Sequence, residues 1–162
     1  MIRPATALDA QAIADLWNPW IRDTIVTFNP VEKSPHDITE MIKQRHASNQ
    51  TVLISFNSNA LQGFVTYSQF RNGAGYSTCM EHTIILAPTS HGKGIGRALM
   101  AAVEVHAKAG GAHQMIGGIS AENIAARAFH GKLGYREIAI IPEAGHKFGR
   151  FIDLVLMQKF LT

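Results

Sequence analysis

Cysteine is all but missing from this 162-residue chain: the single thiol, Cys79, excludes an internal disulfide and fits a reducing compartment. Long apolar runs are missing too. None approaches the ~20 residues that cross a bilayer. No apolar signal segment follows Met1-Ile2-Arg3-Pro4, so the cytoplasm is the expected setting, with no membrane partner. There is no run of Lys or Arg, no helix-turn-helix pattern and no zinc-finger spacing, which argues against nucleic acid as a partner. The eight histidines include no His-x-x-x-His pair with a carboxylate, so no metal site is expected. Repeats, low-complexity tracts and linkers are absent, and 1–162 reads as one domain.

What is there begins with ordinary bulk. A hydrophobic share of 46% with 17% charged residues suits a globular chain with a real core. A net charge of +3 and a pI near 9.2 lean towards an anionic partner, although histidines titrating near neutrality blur that figure.

Periodicity and punctuation predict an alternating chain. Ile2–Ala5 reads as a short strand. Thr6 and Asp9 stand at capping spacing before Ile13, Leu16, Trp17 and Trp20, a helix expected to end near Pro19 or run on irregularly to Thr24. Ser34-Pro35 opens a second helix through Met41, Ile42 and Arg45. Thr51–Phe56 and Leu61–Phe70 form a hairpin about Asn57-Ser58-Asn59, and Tyr76–Leu86 is a long strand stopped at Pro88. A helix over Gly94–Ala109, a strand over Gln114–Ser120 and a helix over Glu122–Leu133 follow, then strands over Tyr135–Ile141 and Phe151–Phe160. This order predicts an α/β (α+β) fold with a mixed sheet flanked by helices.

The most informative stretch is residues 91–97, His-Gly-Lys-Gly-Ile-Gly-Arg, set directly before an amphipathic helix. Glycine lets a backbone approach an anion closely, and the first N–H groups of a helix are unpaired at the positive end of its dipole. Lys93 and Arg97 add charge there. The loop therefore reads as a phosphate cradle or, more plainly, as a surface turn with solvated cations. Its spacing matches neither a Walker-type loop nor a dinucleotide fingerprint.

The loop resembles the acyl-CoA loop [QR]-x-x-G-x-[GA] of the GCN5-related N-acetyltransferase (GNAT) superfamily. Gly94 and Gly96 fill the small positions, and His91 stands where Gln or Arg is usual. Further segments resemble the phosphinothricin and methionine sulfone (sulfoximine) acetyltransferase branch. They are Ile2-Arg3-Pro4-Ala5, the loop 24–29, the strand 76–86 with Glu81-His82, Ala121-Glu122-Asn123, Phe129–Tyr135 and the closing Gly145-His146-Lys147-Phe148-Gly149-Arg150-Phe151-Ile152-Asp153-Leu154. The resemblance covers essentially the whole chain and implies a mostly antiparallel central sheet.

It also implies a chemistry. Gly92, Lys93, Gly94, Ile95, Gly96 and Arg97 would hold the pyrophosphate of acetyl-CoA, the co-substrate. Ile84, Ile85 and Leu86 would give backbone contacts to the pantetheine arm, with one N–H polarising the acetyl carbonyl. Asn123 would bond the pantetheine amides, or serve simply as a helix N-cap. Glu81, a carboxylate in an apolar strand whose pKa partial desolvation would raise, would by the resemblance be the general base, or else half of an ion pair with Arg71 or Arg150. His82, on the opposite strand face, is the second candidate base. His130 is the candidate general acid for the leaving thiolate. Arg71 would grip an acceptor carboxylate or stay solvated in its loop; Asn72 and Gly73 beside it enlarge the pocket, as does Phe151 in place of the usual Trp. Phe28 would wall the acceptor, while Trp17 and Trp20 read as core or interface residues.

The expected function is acetyl transfer to the amino group of a small amino-acid-like acceptor. A polyamine, antibiotic or protein N-terminus is the alternative acceptor, and a non-catalytic acyl-CoA sensor is the alternative class. The resemblance allows a homodimer.

Overall fold

The computed structural model describes residues 1–58 and 60–162. Asn59, the last residue of the expected hairpin turn, lies outside the described residues. Seven strands among the described residues form one sheet in the order β1-β2-β3-β4-β5-β7-β6. They are β1 Ile2–Pro4, β2 Val52–Asn57, β3 Ala60–Gln69, β4 Cys79–Leu86, β5 Gln114–Ser120, β6 Arg136–Lys147 and β7 Arg150–Phe160. All neighbours pair antiparallel except β4 and β5, which run parallel.

Helices cover both faces because the central strands are apolar on both. In β2, Val52 and Ile54 face one core with Phe64 and Ile85, closed by helices α1 (Ala10–Asp23) and α2 (Pro35–Ala47). Leu53 alternates to the other face with Val65, Met80 and Met115, covered by α3 (Ile95–Ala109) and α4 (Ile124–Lys132). Full burial of side chains such as Phe64, Leu99 and Met115 stabilises the fold by about 1.5–3 kcal/mol each. No described helix is long and apolar enough to cross a membrane.

Local chemistry sets most of the helix ends. Ser34 caps α2 through a reciprocal box: the Asp37 N–H donates to Ser34 Oγ at 3.1 Å, and the Ser34 N–H donates to Asp37 Oδ2 at 2.8 Å. The Thr6 N–H donates to the Asp9 carboxylate at 2.8 Å in the short 3₁₀ turn that leads into α1.

Of the two ends expected for α1 the structure takes the later: the helix runs through Pro19 to Asp23, with Thr24 as its C-cap, held by its buried face of Ile13, Ala14 and Ile21. Other boundaries differ from the expected ones. Tyr76 belongs to a 3₁₀ turn, Ala74–Tyr76, behind Gly73 at φ +109°, so β4 starts only at Cys79. Helix α4 starts at Ile124 because Asn123 is its cap. Strand β6 extends to Lys147, since the register shift between Ile141 and Gly145 absorbs extra residues and Phe148-Gly149, both at positive φ, make a tight turn into β7.

Candidate active site

The parallel seam between β4 and β5 is short. Pairing runs from Cys79↔Gln114 to His82↔Gly117 and then stops, although β4 continues to Leu86 and β5 to Ser120. The two strands part there, and a cleft of about 960 Å³ opens between them, lined by Thr83–Leu86 on one side and Gly118–Ser120 on the other. The Ala87 N–H donates to Gln62 O and the Phe70 N–H to Cys79 O, so odd-numbered residues of β4 turn their backbone groups to β3. Alternation then aims the N–H and C=O of Ile84 and Leu86 into the gap. Ile85 is corrected by this register: its backbone belongs to the β3 ladder.

Glu81 and His82 fall on opposite sheet faces, yet both reach the cleft because it cuts through the sheet. No hydrogen bond or ion pair reaches the Glu81 carboxylate among the described residues. The two arginines weighed as partners are elsewhere: Arg71 lies over the Tyr76 ring at 5.8 Å, and Arg150 pairs with Glu122 at 2.5 and 2.9 Å. Burial holds the Glu81 pKa above the usual carboxylate value. The glycine pair on β5 makes room for both side chains. A Cβ on Gly118 would lie 2.9 Å from Glu81 Oε1, and one on Gly117 would lie 3.0 Å from His82 Nε2.

On the other face His82 stacks on His130, with ring centroids 5.0 Å apart and planes 11° apart. Burial pushes the His82 pKa down to about 3 and lowers that of His130 as well, so both rings are neutral near pH 7. His130 Nδ1 lies 2.8 Å from Ala126 O. A carbonyl only accepts, so Nδ1 carries the proton and Nε2 is bare in the neutral ring. The expectation that His130 is a general acid is corrected on that ground: the resting ring has no proton at Nε2 to give, and that atom is buried without a partner.

The glycine loop sits at the mouth of the same cleft. Gly94 caps α3 at φ +79° with no side-chain cap, leaving the N–H groups of the helix's first turn unpaired. Gly92 is also left-handed, at φ +73°, a conformation that favours glycine. Gly96 serves packing instead: its Cβ would lie 3.0 Å from Leu86 and 3.1 Å from the Phe129 ring. His91 stacks on Trp20 with planes 2° apart, so it braces the loop against α1. Arg97 lines the cleft; Lys93 and Ile95 do not. Asn123 does line it, while its Oδ1 accepts the Ala126 N–H at 3.1 Å, the capping alternative.

Phe28 joins the lining from the segment after α1, with Val26 and Thr27. Trp17 and Trp20 line it as well rather than being wholly core. Arg71, Asn72 and Gly73 are not brought to the cleft: Gln69 Nε2 donates to Arg71 O and Gly73 O, folding that turn back on β3. Phe151 is exposed on β7 and does not line the cleft. The sequence reading missed Gly117, Gly118 and Ser120. Consecutive mid-strand glycines were the available signal, because glycine weakens a strand unless a close approach needs it.

The pattern of the acetyltransferase (GNAT) family matches residues 13–135. The L-amino acid N-acyltransferase MnaT of Escherichia coli is 31% identical over 97% of this chain and 91% of its own length. The L-methionine sulfoximine/L-methionine sulfone acetyltransferase of Salmonella typhimurium is 30% identical over 97% of this chain and 92% of its own. The solved phosphinothricin acetyltransferase of Sinorhizobium meliloti, in complex with acetyl-CoA, superposes with a TM-score of 0.93 at 26% identity, covering 99% of this chain and 87% of that one. With a strand gap, a glycine-capped helix and these likenesses running nearly end to end, the chain belongs to the acetyltransferase (GNAT) family.

Proposed function

We propose that the protein acetylates the amino group of a small amino-acid-like acceptor of the methionine sulfone/sulfoximine or phosphinothricin type. The observation that carries the reading is Glu81: a desolvated carboxylate without an ion partner among the described residues, at the point where β4 and β5 separate.

The residues present fit acetyl-CoA. The unpaired N–H groups at the start of α3, with Gly92 and Gly94 at positive φ, suit a pyrophosphate, and Arg97 adds charge. The free backbone groups of Ile84 and Leu86 suit the pantetheine amides in the manner of an added strand. Bound acetyl-CoA supplies the acetyl thioester. The Ile84 N–H polarises the acetyl carbonyl and stabilises the oxyanion, a contact worth ~10²–10³ in rate. Glu81 takes a proton from the acceptor ammonium, directly or through a water, so that a neutral amine attacks the thioester carbon. As the C–N bond forms the C–S bond breaks, and the CoA thiolate leaves and takes up the proton that the attacking nitrogen sheds. Phe28 covers the acceptor side. Asn123 orients the pantetheine arm while capping α4. His82 and His130, stacked and neutral, support the strand gap from below.

One observation favours a second acceptor class. The Lys and Arg residues lining the cleft are Arg97, beside the glycine loop, and Lys132, on α4; Lys147, behind Phe28, is held by the carbonyls of Thr24 and Thr27 and does not line it. An amine lacking a carboxylate fits that wall. Thiol release from acetyl-CoA with methionine sulfone and phosphinothricin against their amidated forms and a polyamine tests both. Preference for the carboxylated acceptors supports the leading reading; equal or reversed rates overturn it.

A further inference from the structure

Lys147 is a lysine where a lysine is costly. It is 4% exposed, and burial lowers its pKa, yet no carboxylate compensates it among the described residues. Its Nζ donates instead to Thr24 O and Thr27 O, each at 2.6 Å, across more than a hundred residues of sequence. Thr24 is the C-cap of α1, so the ammonium sits at the negative end of that helix and satisfies a carbonyl the helix leaves free. A lysine can donate to both carbonyls at once and hold the turn between them closed.

Two residues earlier on the same face of β6 stands Gly145. A Cβ there would lie 2.6 Å from Phe28 Cγ and 2.6 Å from Phe28 Cε2, far inside the 3.5–4.0 Å at which carbons rest against each other. The Phe28 ring therefore lies flat on the Gly145 backbone. Clamp and seat act on consecutive parts of one short segment, 24–28, whose Val26, Thr27 and Phe28 line the cleft.

We propose that Lys147 and Gly145 are positioning residues that fix the acceptor wall: the ammonium clamps the turn from Thr24 to Thr27, and the bare backbone at Gly145 seats Phe28. The proposal rests on the acceptor reading above for its functional half. Neither residue touches the reacting atoms; both act through the segment they hold.

The test combines amide hydrogen exchange with steady-state kinetics on the whole chain. Lys147→Met keeps length and removes the donors. It should speed exchange over residues 24–28 and raise the acceptor KM about tenfold or more, the scale of lost charge-assisted hydrogen bonds, with little change in acetyl-CoA binding. Lys147→Arg should recover part of the loss. Gly145→Ala should raise the acceptor KM in the wild-type background and add little once Phe28→Ala is present, because the two act on one contact. If Lys147→Met does not fold, the Gly145/Phe28 pair carries the test alone. Unchanged exchange over 24–28, an acceptor KM and acetyl-CoA constant that rise together, or additive Gly145 and Phe28 effects would overturn the proposal. Faster exchange in Lys147→Met with no turnover of any amino-acid-like acceptor by the wild type would overturn the function and support the clamp.

Discussion

The wall of the cleft at α3 comes from one short stretch, residues 91–97, and presents mostly backbone. The wall around Phe28 is assembled from side chains far apart in sequence: Phe28 over Gly145, Glu81 over Gly118, and Lys147 under Thr24 and Thr27. A backbone cradle depends on conformation and tolerates side-chain drift. A side-chain wall depends on close fits that a single methyl group disturbs. The first kind of wall suits a ligand common to a family, and the second suits a ligand that differs from member to member.

Several substitutions should separate the two walls. Glu81→Gln should have the largest effect, lowering kcat/KM by ~10²–10⁴ as for loss of a general base, with partial recovery at high pH where the amine is already neutral. In the unchanged enzyme, the raised Glu81 pKa should set the acid limb of the pH–rate profile above the ordinary glutamate range. A Glu81→Gln enzyme with a wild-type rate at neutral pH would move the base elsewhere, with His82 first in line. Gly94→Val comes next. A branched residue at φ +79° is strained by ~1–3 kcal/mol, so the acetyl-CoA constant should rise roughly 5- to 150-fold while acceptor preference stays as it was. Gly118→Ala should act on the other wall only: its Cβ meets the Glu81 carboxylate, so kcat should fall on the order of tenfold with acetyl-CoA affinity kept.

Stability should follow the face of β4 opposite Glu81. The His82 pKa is depressed in the folded state, so its contribution is present above ~6.5, the ordinary histidine value, and is lost as pH falls towards about 3. Urea midpoints across that window should decline less steeply in a folded His82→Gln variant. Arg71→Ala should be the mildest change. With the guanidinium over Tyr76 and outside the cleft, acceptor preference should move by less than about threefold, as for a surface charge. A selective loss of carboxylated acceptors would show that this loop reaches the site during turnover.

The same contrast explains what the sequence disclosed. Gly92 to Gly96 and the helix behind them carry their meaning in local spacing, and Ser34-Pro35 announces the start of α2 in the same way. The order of helices and strands along the chain was readable for the same reason. The strand gap was not: where β4 and β5 stop pairing depends on tertiary placement, and only Gly117-Gly118 hinted at it. Arg71 shows the opposite error. Its chemistry suits a carboxylate, but Gln69 folds its turn away from the cleft. The tautomer of His130 depends on a carbonyl one helical turn back, so the resemblance at that position implied an acid that the hydrogen bond does not supply.

The early end of the β4–β5 seam has a consequence for which shapes can reach its free strand edges. An unpaired strand edge is a standing invitation to neighbouring proteins, and sheets usually blunt such edges with charge, proline or a covering loop. Here two free edges face each other inside a slot flanked by helices. Each guards the other from anything as broad as a second folded sheet, while a filament one strand wide can still lie between them. At this seam the main-chain adhesiveness of two strands is turned inward, towards the cleft.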